Sequence, residues 1–191
     1  MARWQPDARG RLQQAALDLF RERGYAEVTV TEIADRAGLT KRTFFNHFAD
    51  KREVFFANAQ AFEASVLTHL AGADPALNAI DATVEALTRC GLELAELSTA
   101  DEARARFSLI ASTPELRERD LIKTAGLIAA MIEALGRRGV PPRAAGFAVR
   151  AGIAVFNAAI ADWLAEPTAA FPDLMRKVLA ELRDAVAAPV S

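Results

Sequence analysis

Apolar side chains return every three or four positions along most of the chain, the spacing that keeps them on one face of an α-helix. Leu12, Ala16, Leu19 and Phe20 make the first such stripe, over about Asp7 to Arg23. Gly24 closes it, with Arg21 and Arg23 in the last turn, where cations suit the negative end of the helix dipole. Thr29 and Glu32 have the T-x-x-E spacing of a capping box, in which each side chain satisfies a backbone N–H of the other residue. The second helix therefore starts at Val30 and buries Val30, Ile33, Ala34 and Ala37. Gly38 stops it, in a left-handed conformation that a Cβ would penalise. Thr40 caps a third helix, about Lys41 to His47, with Phe44 and Phe48 on its inward side. Asp50 and Glu53 begin a fourth, which Phe55, Phe62, Val66 and Leu70 carry to about Leu70.

The second half repeats these signals. Asp74-Pro75 reads as a cap followed by proline at the first helical position, opening a helix to about Leu97. A shorter helix runs from Asp101 through Ile110. Thr113-Pro114 starts another, which ends at Arg137, Arg138 and Gly139. Pro141 and Pro142 separate it from a helix reaching about Leu164. After Pro167 and Pro172, a last helix covers about Asp173 to Val186. No segment sustains two-residue alternation, so the expected fold is all-α, with about nine helices.

Composition narrows the class. Of 191 residues, 52% are apolar and 25% charged, ordinary for a globular chain. No stretch reaches the roughly 18 consecutive apolar residues of a membrane span, and the charged start MARWQPDARGR is no secretory signal. Cys90 is the one cysteine, so no internal disulfide forms, and a reducing cytoplasm is the expected home. Net charge is −2, but residues 1–56 hold 10 Lys/Arg against 8 Asp/Glu, a local excess of +2. The basic end is the N-terminal one.

The third helix is where the chemistry concentrates. With Phe44 and Phe48 inward, Lys41, Arg42, Thr43, Phe45, Asn46 and His47 face outward or sideways. Arginine and lysine match guanine acceptors or phosphate, asparagine pairs with adenine, and threonine offers a hydroxyl and a methyl. Two short helices about a glycine turn, the second presenting such groups, make a helix-turn-helix at 31–50. The plainer reading is a solvated basic surface helix. A helical dimer that binds a partner protein, without sequence-specific DNA recognition, is the rival function. It leaves the polar face of the third helix without a role.

Residues 8–56 closely resemble the DNA-binding domain of the tetracycline-repressor (TetR) family. The resemblance rests on A-L-D-L-F at 16–20, R-G-Y at 23–25, T-V-T-E-I-A at 29–34 and A-G-L-T-K at 37–41. It continues through T-F-F-N-H-F at 43–48 and D-K-R-E-V-F at 50–55. It implies a DNA-binding domain over 8–68 and a helical regulatory, ligand-binding and dimerisation domain over 69–191. By position, Thr29 and Thr40 would meet phosphate at helix starts. Lys41, Arg42, Thr43 and Asn46 would lie nearest base edges, His47 would meet the backbone, and Lys51 would meet phosphate. Phe45 stands where the family commonly has tyrosine, so it packs on sugar or a thymine methyl instead. Arg42 stands where a small residue is frequent.

The implied partners are double-stranded operator DNA, a second copy of the chain and an unidentified small-molecule effector, with no membrane. For a dimer interface the candidates are Ala151, Ala154, Ala158 and Ala161, small enough for close helix approach, with Leu174, Val178 and Leu182 of the last helix. Phe62, Cys90, Phe107, Met131, Phe147 and Phe156 are candidates to line an apolar effector chamber. Asn157 interrupts the apolar stretch A-V-F-N-A-A-I, and a buried amide there needs a partner. No phosphate-binding glycine loop appears, and His47 and His69 fit no metal-ligand spacing. Cys90 has no recognisable partner. The expectation is a non-enzyme with no cofactor, no catalytic residue and no metal: a transcriptional regulator, most simply a repressor released by an apolar ligand.

Overall fold

The computed structural model describes residues 7–187, and among these residues every regular element is an α-helix. After α1 (Ala8–Arg23) come three short helices, α2 (Val30–Arg36), α3 (Lys41–His47) and α4 (Lys51–Phe55). Six follow: α5 (Ala59–Ala71), α6 (Ala79–Leu97), α7 (Ala100–Ser112), α8 (Pro114–Arg137), α9 (Pro142–Ala165) and α10 (Phe171–Ala187).

Helix boundaries follow caps. Asp7 caps α1 by accepting from Gly10 N, and Gly24 stands at positive φ (82°) with extended ψ (158°) beyond its end. The T-x-x-E box forms at α2, and Asn78 caps α6 through Asp81 N. Here the sequence expectation shifts by one turn. Asp74 does not open the helix. Its carboxylate accepts from Ala76 N at 2.8 Å in a turn, and the helix waits for Asn78. A second T-x-x-E box, Thr99 with Glu102, opens α7.

The larger correction lies at residues 56–58, where one expected helix is two. Phe55 and Phe56 are both buried, and neighbours on one helix point about 100° apart. Phe56 leaves helical geometry (φ −98°, ψ 23°), and the two rings then pack edge to face at 5.1 Å inside one core.

The chain divides into two compact units, and not by a single cut. Among the described residues, the first holds residues 7–59 together with Ala105–Leu121; the second holds Gln60–Arg104 and residues 122–187. The first core gathers Leu12, Leu19, Phe20, Ile33, Phe44, Phe48, Val54 and Phe55, and is completed by Ile110 and Leu116. Burying each of the large rings Phe20, Phe44 and Phe55 contributes roughly 1.5–3 kcal/mol. Arg106 closes this core from one side. Its guanidinium stacks 4.3 Å from the Phe55 ring centre and donates to Phe55 O at 2.9 Å. Burial pushes its pKa down to about 10, so it remains a cation at neutral pH.

In the second unit, α9 packs against α6 and α10. By length and composition α9 could cross a membrane, although it carries Arg150 and Asp162. Here it is a core helix that buries Val149, Val155, Phe156 and Ala159. Gly152 lets α6 come close: a Cβ there would lie 2.4 Å from Thr83 Cγ2. Arg138 pins the turn between α5 and α6 by donating to Leu70 O, Ala73 O and Asp74 O at 2.8–3.2 Å.

Candidate nucleic-acid interface

The turn between α2 and α3 sets the direction of α3. Gly38 sits at φ 66°, Gly38 N donates to Asp35 O at 2.9 Å, and Leu39 N reaches back to Ala34 O at 2.8 Å. This paired pattern satisfies carbonyls that a helix end leaves open. Arg11 of α1 donates to Ala37 O and lies 3.0 Å from where a Gly38 Cβ would stand. The turn is thus held from behind by a side chain that helical periodicity does not flag.

Phe44 and Phe48 anchor α3, both buried and 5.6 Å apart ring to ring. The guanidinium of Arg9 covers Phe48 at 4.8 Å and donates to Ala57 O. With that face fixed, Lys41, Arg42, Phe45, Asn46 and His47 stand exposed. Phe45 is 50% exposed, its ring edge-on to Phe44 at 5.5 Å. Among the described residues, no hydrogen bond or ion pair engages the side chains of Lys41, Arg42 or Asn46. Three long polar side chains therefore project from a helix whose own ends are satisfied internally.

The threonines behave differently. Thr40 Oγ1 accepts from Thr43 N at 3.1 Å and shares a 2.9 Å contact with Thr43 Oγ1. Thr29 Oγ1 donates to Glu32 Oε2 at 2.7 Å and accepts from Glu32 N. The hydroxyl bond, a second from Thr29 N to Glu32 Oε2 at 2.8 Å, and Arg23 hold the Glu32 carboxyl down at about 2. Thr29 and Thr40 thus serve as caps in this structure, and Thr43 is the residue that Thr40 caps. Lys51 has also found partners. Its ammonium donates to Tyr25 O at 2.7 Å and Val28 O at 2.9 Å, and lies 4.1 Å from the centre of the Tyr25 ring. Partial burial pushes its pKa down. An ammonium has three donors, so these bonds leave one.

The effector candidates scatter. Phe62, Cys90, Met131 and Phe156 belong to the core of the second unit, with the Phe62 and Phe156 rings 6.1 Å apart. Phe107 lies in the first unit and is 45% exposed, and Phe147 is 66% exposed. Asn157 is exposed, so its amide needs no buried partner. Of the interface candidates, Ala154, Ala158 and Ala161 are exposed along α9, Ala151 and Leu182 are half-buried, and Leu174 and Val178 face the core. Ala154, Val155, Val178, Glu181 and Leu182 line an open groove of about 280 Å³.

A glycine-turned pair of short helices on the core of the first unit, the second bearing unengaged basic and amide groups, defines a helix-turn-helix protein. Comparison with known sequences agrees. The sequence model of the bacterial regulatory proteins of the tetR family matches residues 12–57, and that of the MftR C-terminal domain matches residues 77–187. The chain belongs to the tetR family. It is 28% identical over 132 residues to MftR of Mycobacterium tuberculosis, named as a mycofactocin biosynthesis transcriptional regulator, covering 66% of this chain and 63% of that one. It is 43% identical over 54 residues to the transcriptional activator FasR of Mycolicibacterium smegmatis, covering 28% of this chain and 25% of that one. The chain thus spans less than two thirds of the length of these curated relatives. Among solved structures it is similar to SmeT bound to triclosan, at TM-score 0.58 and 22% identity, covering 96% of this chain and 98% of that one. SmeT is a Stenotrophomonas maltophilia efflux-pump repressor, and at that identity the likeness speaks for the fold.

Proposed function

We propose that this chain is a cytoplasmic, homodimeric transcriptional regulator that places one α3 in each of two successive major grooves of a near-palindromic operator. The observation that supports this best is the exposed trio Lys41, Arg42 and Asn46, which are without partners among the described residues, on a helix locked in place by Phe44 and Phe48. Arg42 and Asn46 are candidates to read base edges, with Lys41 at a base or phosphate, Phe45 against sugar or a thymine methyl, and His47 on the backbone. Thr29 and Thr40, the latter capping Thr43, support this set by fixing helix starts. Lys51 holds the turn before α2, with one donor left for phosphate.

A homodimer fits the exposed small residues Ala154, Ala158 and Ala161 beside the open groove on α9 and α10. Half-sites recur one helical turn apart, roughly 34–36 Å, so two reading heads must be held at a set spacing. An apolar effector that entered beside Phe62, Met131 and Phe156 would act by changing that spacing. Repression is the simpler mode, since occupancy of an operator is enough to block transcription.

The test is selection of bound duplexes from a random pool by the purified chain. A recovered motif with two-fold symmetry, bound with a steep salt dependence, is the expected result. Recovery of no motif, with binding unaffected by salt, would favour the protein-binding module.

A further inference from the structure

In the second unit, four polar side chains from α5 and α6 meet at one point. Ser65 and His69, four apart on α5, face Cys90 and Glu93, three apart on α6; such spacings put each pair on one side of its helix. His69 Nε2 lies 2.7 Å from Glu93 Oε1, and Ser65 Oγ donates to Glu93 Oε2 at 2.6 Å. Cys90 Sγ lies 3.4 Å from Ser65 Oγ. The imidazole nitrogen, the sulfur and a carboxylate oxygen are all within 4.8 Å of one another. His69 and Cys90 look unrelated in the sequence, because the residues that meet here lie 21 to 28 positions apart. Helix pairing alone brings them together.

We propose that His69, Cys90 and Glu93 form a binding site for a zinc ion, with a fourth position open to water. The donor set selects the metal. Imidazole, thiolate and carboxylate together suit zinc, whereas magnesium and calcium take oxygen ligands. Bonds of about 2.0–2.3 Å place tetrahedral ligand atoms about 3.3–3.8 Å apart. The His69–Glu93 pair has only to open slightly, and the sulfur to close in. The half-exposed Glu93 (49%) and the partly exposed His69 (24%) give the ion a way in, while Cys90 makes the buried floor. Ser65 is a positioning residue: its hydroxyl holds the far oxygen of Glu93, as an outer partner orients a metal ligand. On binding, a Zn–S bond replaces the S–H bond of Cys90, and the thiol proton passes to solvent. Zinc also displaces the His69–Glu93 hydrogen bond: the Nε2 proton passes to solvent or is replaced by one on Nδ1, and the freed Nε2 lone pair binds the ion. The site stands apart from the DNA-binding reading and does not depend on it.

The test uses the untagged full chain, stripped with chelator and titrated with cobalt(II), which takes zinc sites and shows its ligands by absorption. The chain has a single cysteine, so a thiolate-to-cobalt band in the near ultraviolet can come only from Cys90. One cobalt per chain with that band, bleached by added zinc, is the expected result. Cys90→Ser should abolish the band while circular dichroism keeps the helical signal. His69→Ala and Glu93→Gln should weaken zinc in a competing-dye assay by at least about a hundredfold, and Ser65→Ala by about tenfold, the range seen when an outer partner is lost. A wild-type chain without the band, or one whose zinc affinity survives Cys90→Ser and Glu93→Gln unchanged, makes the cluster a hydrogen-bond network and overturns the site. Glu93 is exposed enough that its glutamine variant keeps the test decisive if a core variant fails to fold.

Discussion

Lys51 turns its ammonium onto the backbone carbonyl of Tyr25 at 2.7 Å while covering that residue's ring at 4.1 Å. The same nitrogen reaches Val28 O at 2.9 Å. It thereby braces the segment that delivers Thr29 to the start of α2. Lys51→Met keeps the apolar stem and removes the donors, leaving two carbonyls of buried residues short of a partner. The expected loss is about 1–3 kcal/mol of unfolding free energy. Urea denaturation measures it, and an unchanged midpoint would show the brace to be idle. DNA affinity should fall by a similar factor for every sequence, because neither bracing nor a phosphate contact carries base identity.

Base reading is the job proposed for Asn46 and Arg42. A two-pronged contact to a base edge is worth about 1–3 kcal/mol of discrimination. Asn46→Ala should relax preference at one base pair in each half-site and leave non-specific affinity nearly intact, since no charge is removed. Arg42→Ala should lower both. Affinities over a panel of single-base operator variants decide the matter. An equal drop for all variants with Asn46→Ala would make that residue a positioning contact.

Acid should undo the cap of α2. Hydrogen bonds from the Thr29 hydroxyl and N–H, with help from Arg23, hold the Glu32 carboxyl at about 2 in the folded chain. Unfolded glutamate titrates near about 4.3. The folded value is the lower one, so the cap's contribution is complete above about pH 4.3 and disappears as pH falls toward 2. Melting temperatures of wild type and Glu32→Gln should therefore differ at pH 6 and converge between about pH 4 and pH 2. A gap that stays constant down to pH 2 would remove the ionised carboxylate from the cap.

Ala158 tests assembly. It is exposed on α9 in the single chain. In a close helix contact, Ala158→Arg would bury an uncompensated charge, at a cost of about 3–5 kcal/mol by analogy with broken buried pairs. Sedimentation should report helical monomers, and operator binding should weaken sharply. A variant that stays fully dimeric would move the interface to another face.

Gly91 leaves no room for a methyl group. A Cβ there would stand 2.0 Å from Phe171 Cε1, in a core where that ring is 3% exposed. Overpacking costs about 1–3 kcal/mol, against roughly 0.5–1 kcal/mol gained by replacing a helical glycine. Gly91→Ala should be destabilised by about 1 kcal/mol in urea. A stabilised variant would show that Phe171 gives way freely.

Local sequence determined the helices and the reading head. Caps and stripes are short-range matters: Thr29 with Glu32, Gly38 at positive φ, and Phe44 with Phe48 act within one or two turns. Caps, the glycine turn and periodicity together placed α3 and its outward set Lys41, Arg42, Thr43, Phe45, Asn46 and His47, of which Thr43 alone is only half-exposed. Tertiary structure decided what depends on partners far along the chain. Phe55 and Phe56 break a helix because one core takes both rings, and Ile110 and Leu116 join that core from more than 50 residues away. Lys51 finds carbonyls 23 and 26 residues back. Phe107 and Phe147 look like core residues by type yet stand exposed, since hydrophobicity does not say which face of a helix is covered. Cys90 meets Ser65 only because α5 and α6 pair at that register. Short-range hydrogen bonds can be read from a few neighbouring letters, whereas the burial and donor geometry of a side chain depend on which helices the whole chain packs against it.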